Sequence, residues 1–337
     1  MEISRIAIDT SKHVFTLHGV DAKGRCVLRR TLKRAQLEAF FAGLAPTEVV
    51  LEACGGSHHW GRVLQALGHR VRLIPPQYVK PFVKRGKNDA IDAAAINEAS
   101  SRPDMRFVAV KSAQQQADAM LLRVRETLVK QRTQLVNALR GHAAEFGLVA
   151  SKGIGRVSSL VAAVACAAIP DAAKQALLLL AEEAAHHDAL LAAVDRQLLA
   201  LHKANPLSRR LAEIPGVGPI TALTLALTVD ATLFAGSRYF AAWLGLTPKE
   251  HSTGGRQRLG GITRAGNERL RQLLVLGATA VIRFAKPGRR SASAWLLGLL
   301  ERKPRKLVAV ALANKMARIV WAIMVRGEAY RHPPVAA

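Results

Sequence analysis

Acidic residues are the scarce class among the charges of this chain: 24 Asp and Glu stand against 49 Lys and Arg in 337 residues, a formal net charge of +25. Cysteine is scarcer still. Cys26, Cys54 and Cys166 are scattered without metal-ligand spacing, which excludes a zinc site and a disulfide framework. Long apolar runs are missing, and stretches such as Leu177–Ala181 are far too short to span a bilayer. The opening Met1-Glu2-Ile3-Ser4-Arg5 lacks the charged-then-apolar layout of a secretion signal, so a cytoplasmic protein with no membrane partner is predicted. Aromatic residues make up only 5% of the chain, so contacts to nucleic acid are expected to rest on backbone phosphates more than on base stacking. No internal repeat and no nucleotide-binding loop is present.

Cationic excess spread over the whole length is the electrostatic footprint of a nucleic-acid protein. Membrane-surface binding would call for a basic amphipathic anchor, and none stands out. Ribosomal proteins are as basic, but they are usually shorter and carry no acidic cluster. The chain is too long for one ordinary core, and two or three domains are expected.

Three regions differ in character. In 1–107, strands are predicted at Ile3–Ile8, Val14–Val20, Arg25–Thr31, Val49–Leu51 and Val71–Ile74, with helices at Arg34–Leu44 and Ser57–Leu67 and a stop at Pro75-Pro76. Three strands joined by tight turns, then alternation with helices, is the order of a ribonuclease-H-like sheet. In 108–205 glycine and proline become rare. Leu121, Leu128, Leu135 and Leu139 share one helical face, as do Leu190, Leu191, Leu198 and Leu201. Two long antiparallel helices, coiled-coil-like, are predicted, with an irregular tip at Lys152–Ile169 and an apolar seam that suggests a dimer. Region 206–331 reads as short helices with glycine-rich loops, and 332–337 as a frayed tail. The fold class is therefore α/β plus all-α.

The few acids are not evenly spread. Asp9 closes Ile6-Ala7-Ile8, Glu52 closes Val49-Val50-Leu51, and Asp89 and Asp92 lie three apart in one helix. In a ribonuclease-H-like sheet the first and fourth strands are parallel neighbours, which puts Asp9 and Glu52 side by side at one edge. The helix bearing Asp89 and Asp92 presents both on one face. Each acid alone has an ordinary explanation: a turn former, a solvated strand end, a helix cap. As an ordered set they form a site for Mg²⁺, with Mn²⁺ as the alternative, facing a phosphodiester.

Two further motifs carry chemistry. Ile214-Pro215-Gly216-Val217-Gly218, with Ala222 four residues on, has the pattern of a helix-hairpin-helix, whose amides grip phosphate without reading sequence. The alternative is a plain helix–loop–helix corner. The stretch Thr247–Arg258 holds Ser252 in a glycine loop flanked by Arg256 and Arg258. Ser252 there is either a nucleophile or a hydrogen-bond donor to phosphate, and from chemistry alone the second is favoured. His251 is adjacent, but neighbours in sequence rarely point the same way. Lys80, Lys84, Arg85 and Lys87 near the acids, and Arg264, Arg269 and Arg271 after the serine, are the expected nucleic-acid contacts, with Arg289-Arg290 and Arg302–Lys306 beyond them.

Ala7-Ile8-Asp9-Thr10-Ser11-Lys12, Leu51-Glu52-Ala53-Cys54-Gly55-Gly56 and Lys87-Asn88-Asp89-Ala90-Ile91-Asp92-Ala93 form one half of a recognisable series. Ile214–Gly218, His251-Ser252-Thr253-Gly254-Gly255 and Gly266-Asn267-Glu268-Arg269-Leu270-Arg271 form the other. In this order they resemble the DEDD transposases of bacterial insertion sequences, over nearly the whole chain. The resemblance implies a RuvC-like N-terminal domain and a serine-bearing C-terminal transposase domain. It implies Asp9, Glu52, Asp89 and Asp92 as metal ligands and Ser252 as a nucleophile that links covalently to DNA. It further implies donor and target DNA and a structured guide RNA as partners, and assembly as a homodimer or tetramer is expected. A metal-dependent nuclease or junction resolvase without a covalent intermediate shares every feature but the last.

Overall fold

The computed structural model describes residues 2–84, 86, 88–286 and 293–331. Arg85, Lys87, Arg289-Arg290 and the expected tail lie outside the described residues. The chain forms two compact units, Met1–Ala117 and Asp118–Ala337.

The first unit is built on β1 (Arg5–Thr10), β2 (Val14–Val20), β3 (Cys26–Lys33), α1 (Leu37–Ala42), β4 (Glu48–Glu52), α2 (Ser57–Ala66), β5 (Arg70–Ile74), α3 (Pro76–Val79) and α4 (Asp89–Ser100). Sheet order is β3-β2-β1-β4-β5. The first three strands are antiparallel, and β4 and β5 join β1 in parallel. This mixed sheet is compatible with a ribonuclease-H-like domain. The boundaries differ from expectation by a few residues. β1 runs to Thr10, so Asp9 lies inside the strand. Pro76 starts a helix instead of stopping the chain, because the first helical position needs no N–H. A 3-10 turn at Arg34–Gln36 precedes α1.

Strand parity assigns each residue to a face. Ile6, Ile8, Val49 and Leu51 join Phe15, Leu37, Phe41, Trp60 and Leu64 in the core on the α1–α2 side. Ala7 and Val50 belong to a second, smaller core with Ile74, Val79, Ala95, Ile96 and Ala99, on the α4 side. The alternation carries Asp9 and Glu52 onto the α4 side too. Alanines at 93, 95 and 99 let that helix lie close against the sheet.

In the second unit, α5 (Ala113–Ala144), which starts in the last residues of the first unit, is followed by α6 (Val157–Cys166) and α7 (Asp171–Ala204). Arg125 pairs with Asp195 (2.5 Å) and Arg132 with Asp188 (2.7 Å), so α5 and α7 run antiparallel. The buried residues of α7, Leu177, Ala184, Leu191 and Leu198, recur every seven positions. Leu190, expected on that seam, is 39% exposed. The tip is not wholly irregular. Gly153, Gly155 and Pro170 flank a continuous apolar helix, α6, whose Leu160 and Val164 pack with Leu139, Ala143 and Leu177.

The remainder holds α8 (Pro206–Leu211), α9 (Pro219–Thr228), α10 (Ser237–Trp243), a hairpin of β6 (Pro248–Glu250) and β7 (Leu259–Ile262), α11 (Glu268–Arg283), α12 (Ala294–Arg302) and α13 (Arg305–Arg326). Its core gathers Leu211, Ile214, Phe240, Leu270, Leu274, Val308, Met316 and Val320 around α11 and α13. Among the described residues α13 alone is long and apolar enough to cross a membrane, yet its Val308, Ala313, Ala317 and Val320 are fully buried in this core.

Candidate metal centre and serine hairpin

Three acids, Asp9, Asp89 and Asp92, meet where the C-terminal end of β1 faces the start of α4, and Glu52 at the end of β4 is their electrostatic neighbour outside that trio. The strands pair in register from Arg5 with Glu48 through Ile8 with Leu51, which brings Asp9 and Glu52 to the same end. Helix α4 starts here because Asn88 caps it: its side-chain oxygen accepts from the Ile91 amide at 2.8 Å. Asn88, and not Asp89, is therefore the cap, leaving Asp89 and Asp92 free in the first turn. Two contacts fix the helix on the sheet. Asn97 Nδ2 donates to the His18 carbonyl (3.1 Å), and Arg5 donates to Ser100 Oγ (3.2 Å).

One carboxylate oxygen from each of Asp9, Asp89 and Asp92 lies within 4.8 Å of the others. Glu52 stands beside this trio. Asp9 is raised from 3.8 to about 6, first by burial and then by the charges of Asp92, Asp89 and Glu52. Glu52 is pushed up by burial and then by Asp92. None of the four forms an ion pair with a described cation, although the chain has twice as many cations as acids. Carboxylates held together, half-buried at Asp9, Glu52 and Asp92 and exposed at Asp89, with no counter-charge among the described residues, fit a hard divalent cation with oxygen ligands. Of the cations expected nearby, Lys80 and Lys84 are exposed.

Ser252 lies in the second unit, in an ordered hairpin and not in a loose glycine loop. Gly254 and Gly255, with φ of 54° and 76°, are the two central residues of a tight turn closed by the Arg256 amide donating to the Thr253 carbonyl (3.0 Å). Successive positive φ is the signature of a primed hairpin turn and is nearly closed to side-chain-bearing residues. The turn holds Ser252 exposed near the tip, between two measured contacts. Its hydroxyl donates to Glu250 Oε1 at 3.0 Å, and the Arg258 amide donates to Ser252 Oγ at 3.2 Å. His251 instead uses its backbone amide to pair with the Arg258 carbonyl (2.9 Å). Glu250 was not singled out from sequence. The available signal was the spacing of two, which puts Glu250 and Ser252 on one face if the segment is extended.

The other expected contacts divide. Arg256, Arg258 and Arg264 are exposed, and Arg269 is half-buried. Arg271 is a correction: it is 9% exposed, and its guanidinium donates to the carbonyls of Leu244 (3.1 Å) and Ala265 (2.8 Å). These two bonds hold the chain entering α11 in place. Gly216 and Gly218, in the turn between α8 and α9, also differ from each other. A Cβ on Gly216 would stand 2.8 Å from the Gly277 carbonyl oxygen, so this glycine serves backbone packing against α11. Gly218 precedes α9, is exposed and has open space beside it.

Comparison with known proteins finds two family matches along the chain. The family described as "Transposase IS116/IS110/IS902 family" matches residues 208–293, and the IS110 DEDD family, described as "Transposase", matches residues 6–146. The chain is 54% identical over 333 residues to the transposase y4pF/y4sB of Sinorhizobium fredii, covering 98% of this chain and 86% of that one. It is 41% identical over 334 residues to the transposase for insertion sequence element IS1111A of Coxiella burnetii, covering 98% and 92%. Identity to the transposase for insertion sequence element IS1328 of Yersinia enterocolitica is 37% over 329 residues, covering 97% and 98%. DEDD transposases imply dependence on a divalent metal, to which the acidic cluster corresponds. The chain belongs to the IS110/IS116/IS902 family of insertion-sequence transposases, enzymes that cleave DNA and transfer its strands.

Proposed function

We propose that this transposase acts as a serine recombinase, in which Asp9, Glu52, Asp89 and Asp92 hold Mg²⁺ and Ser252 forms a covalent link to DNA. The observation that carries the reading is the acid cluster of the first unit, which no described cation neutralises; the second unit separately presents Ser252 exposed on a hairpin. When bound, the cation supplies Lewis-acid stabilisation of charge on the phosphodiester. Ser252 Oγ attacks the phosphorus, the bond to the 3′ oxygen breaks, and a 3′ hydroxyl is released. A phosphoserine ester conserves the bond energy, so a strand end can reverse the step on a new partner without nucleotide hydrolysis. Arg256 and Arg258 face the developing charge.

Donor and target DNA are the substrates, and a structured RNA encoded by the element is the guide. The exposed turn at Gly218 ahead of α9 acts as a helix-hairpin-helix-like phosphate grip, with Lys80, Lys84, Arg264 and Arg269 along the path. Arg85 and Lys87, outside the described residues, belong to the same path by sequence. The region 1–107 is the RuvC-like domain, 108–205 a coiled-coil dimerisation segment and 206–331 the serine domain. The exposed Leu179 and Leu190 of α7 give that segment apolar surface for a second copy, as dimer or tetramer. The RuvC-like domain of one subunit and the serine domain of another build each site, and the reaction takes place in the cytoplasm at the nucleoid.

The test is a denaturation-resistant protein–DNA adduct formed in Mg²⁺ by protein expressed with its native element flanks. Wild type is expected to form it, and Ser252→Ala and Asp9→Ala to lose it. Cleavage that survives Ser252→Ala without an adduct would overturn the serine reading in favour of a metal nuclease. Mixed oligomers of Asp9→Ala and Ser252→Ala are expected to recover adduct formation; no recovery would contradict the shared site.

A further inference from the structure

From the hairpin geometry we infer that Glu250 is a catalytic residue, the base that takes the Ser252 proton. The inference rests on Ser252 being the nucleophile and adds what the serine reading lacks, an acceptor for its proton. A serine hydroxyl is a weak nucleophile until that proton has somewhere to go. His251, the adjacent imidazole, is poorly placed for this, because successive strand residues point to opposite faces.

Glu250 meets the requirement by position. It ends β6, two residues before Ser252, and the extended backbone carries both side chains to one face. The paired backbone continues past the strand, with Glu250 opposite Leu259 and Thr253 opposite Arg256, so the two side chains are held in fixed relation. Ser252 Oγ–H already points at Glu250 Oε1, at 3.0 Å, within the range for proton transfer. The Arg258 amide, donating to the same Oγ at 3.2 Å, fixes the oxygen from another direction and stabilises negative charge as it develops. Serine thus has a proton acceptor and an oxygen-holding donor, both supplied by one hairpin. The charged and titratable neighbours on the hairpin are Lys249, His251, Arg256 and Arg258, all exposed.

In the forward step the Oγ–H proton passes to Glu250 as the Oγ–phosphorus bond forms and the bond from phosphorus to the 3′ oxygen breaks. The departing 3′ oxygen takes a proton from water. In the reverse step a 3′ hydroxyl attacks the phosphoserine, its proton goes to water, and Glu250 returns the stored proton to Oγ. One carboxylate therefore serves as base in cleavage and acid in rejoining, and no co-reactant beyond water is consumed.

The experiment compares adduct formation by wild type, Glu250→Gln, Glu250→Asp and Ser252→Ala as the full chain with its element flanks, Mg²⁺ and DNA. Glu250→Gln preserves size and an accepting oxygen but cannot take the proton. It is expected to slow adduct formation about 100-fold at neutral pH, the size of a typical general-base contribution. DNA binding by gel shift is expected to stay unchanged. The deficit should narrow as pH rises from about 7 to about 9.5, because hydroxide replaces the missing base. Glu250→Asp should recover part of the rate. If Ser252→Ala abolishes the adduct while Glu250→Gln matches wild type, or shows a deficit independent of pH, Glu250 is not the base and the serine reading stands. If Ser252→Ala still forms the adduct, the serine reading itself falls and this inference falls with it.

Discussion

The α4-facing side of the sheet carries acids at both ends, and the two ends are built oppositely. At the N-terminal end of β4, Glu48 accepts from Arg5 at 2.9 Å and from Arg72 at 2.7 Å, with Arg70 at 3.6 Å. Four residues further along each strand, Asp9 meets Asp89 and Asp92, with Glu52 as their electrostatic neighbour and no described cation paired to any of them. The two ends share a sheet, a face and a helix, and among the described residues they differ in where arginine is placed. Where charge serves the fold, arginine neutralises it. Where acids gather with no described cation paired to them, burial first and then their mutual repulsion raise Asp9 to about 6.

Substitution at each end should therefore act in opposite directions. Asp9→Asn is expected to reduce adduct formation below detection while raising the melting temperature of the metal-free protein. The gain should be about 1 kcal/mol, after allowing for the screening of a half-buried group by solvent. Glu48→Ala is the converse. It leaves Arg5 and Arg72 without their partner and is expected to cost about 2 kcal/mol of stability in a denaturant titration, with cation binding kept. Equal and same-signed stability changes from the two variants would break the contrast.

The pH dependence sharpens it. Asp9 titrates higher in the folded state than its ordinary 3.8, so ionising it costs stability. The metal-free fold is expected to lose stability at this site as pH rises through the window from 3.8 to about 6, and to level off above it. Stabilisation by Mg²⁺ or Mn²⁺ should run the other way, fading as pH falls through about 6 because protons compete for Asp9. Thermal melts with and without cation, at several pH values, check both signs. Asn88→Ala should show the smallest effect. Loss of its bond to the Ile91 amide is expected to cost about 1 kcal/mol and to weaken cation binding a few-fold, since the first turn of α4 carries two ligands.

Much of the acidic cluster was legible because it follows from local rules. Apolar triplets before Asp9 and Glu52 mark buried parallel strands, and a spacing of three puts Asp89 and Asp92 on one helical face. The serine hairpin was less legible. Gly254-Gly255 reads equally as slack or as a primed turn, and only the paired backbone on either side decides. Without that pairing, the spacing of Glu250 and Ser252 has no meaning. Arg271 failed for a related reason. It follows buried Leu270 on α11, and a cation there is indistinguishable in sequence from a surface one until its two carbonyl acceptors are known. The short helix α6 carries a legible period, with Val157, Leu160, Val161 and Val164 on one face, but Gly153, Gly155 and Pro170 around it read as an irregular tip.

The most direct test is a Mn²⁺ titration of the full-length protein at pH 7.5, followed by the loss of the free-ion electron-spin-resonance signal. Wild type and Glu48→Gln are expected to bind the ion with similar affinity, and Asp9→Asn and Asp92→Asn to bind it at least ten-fold more weakly. Equal binding by all four proteins would contradict the assignment of this acidic cluster as the metal centre.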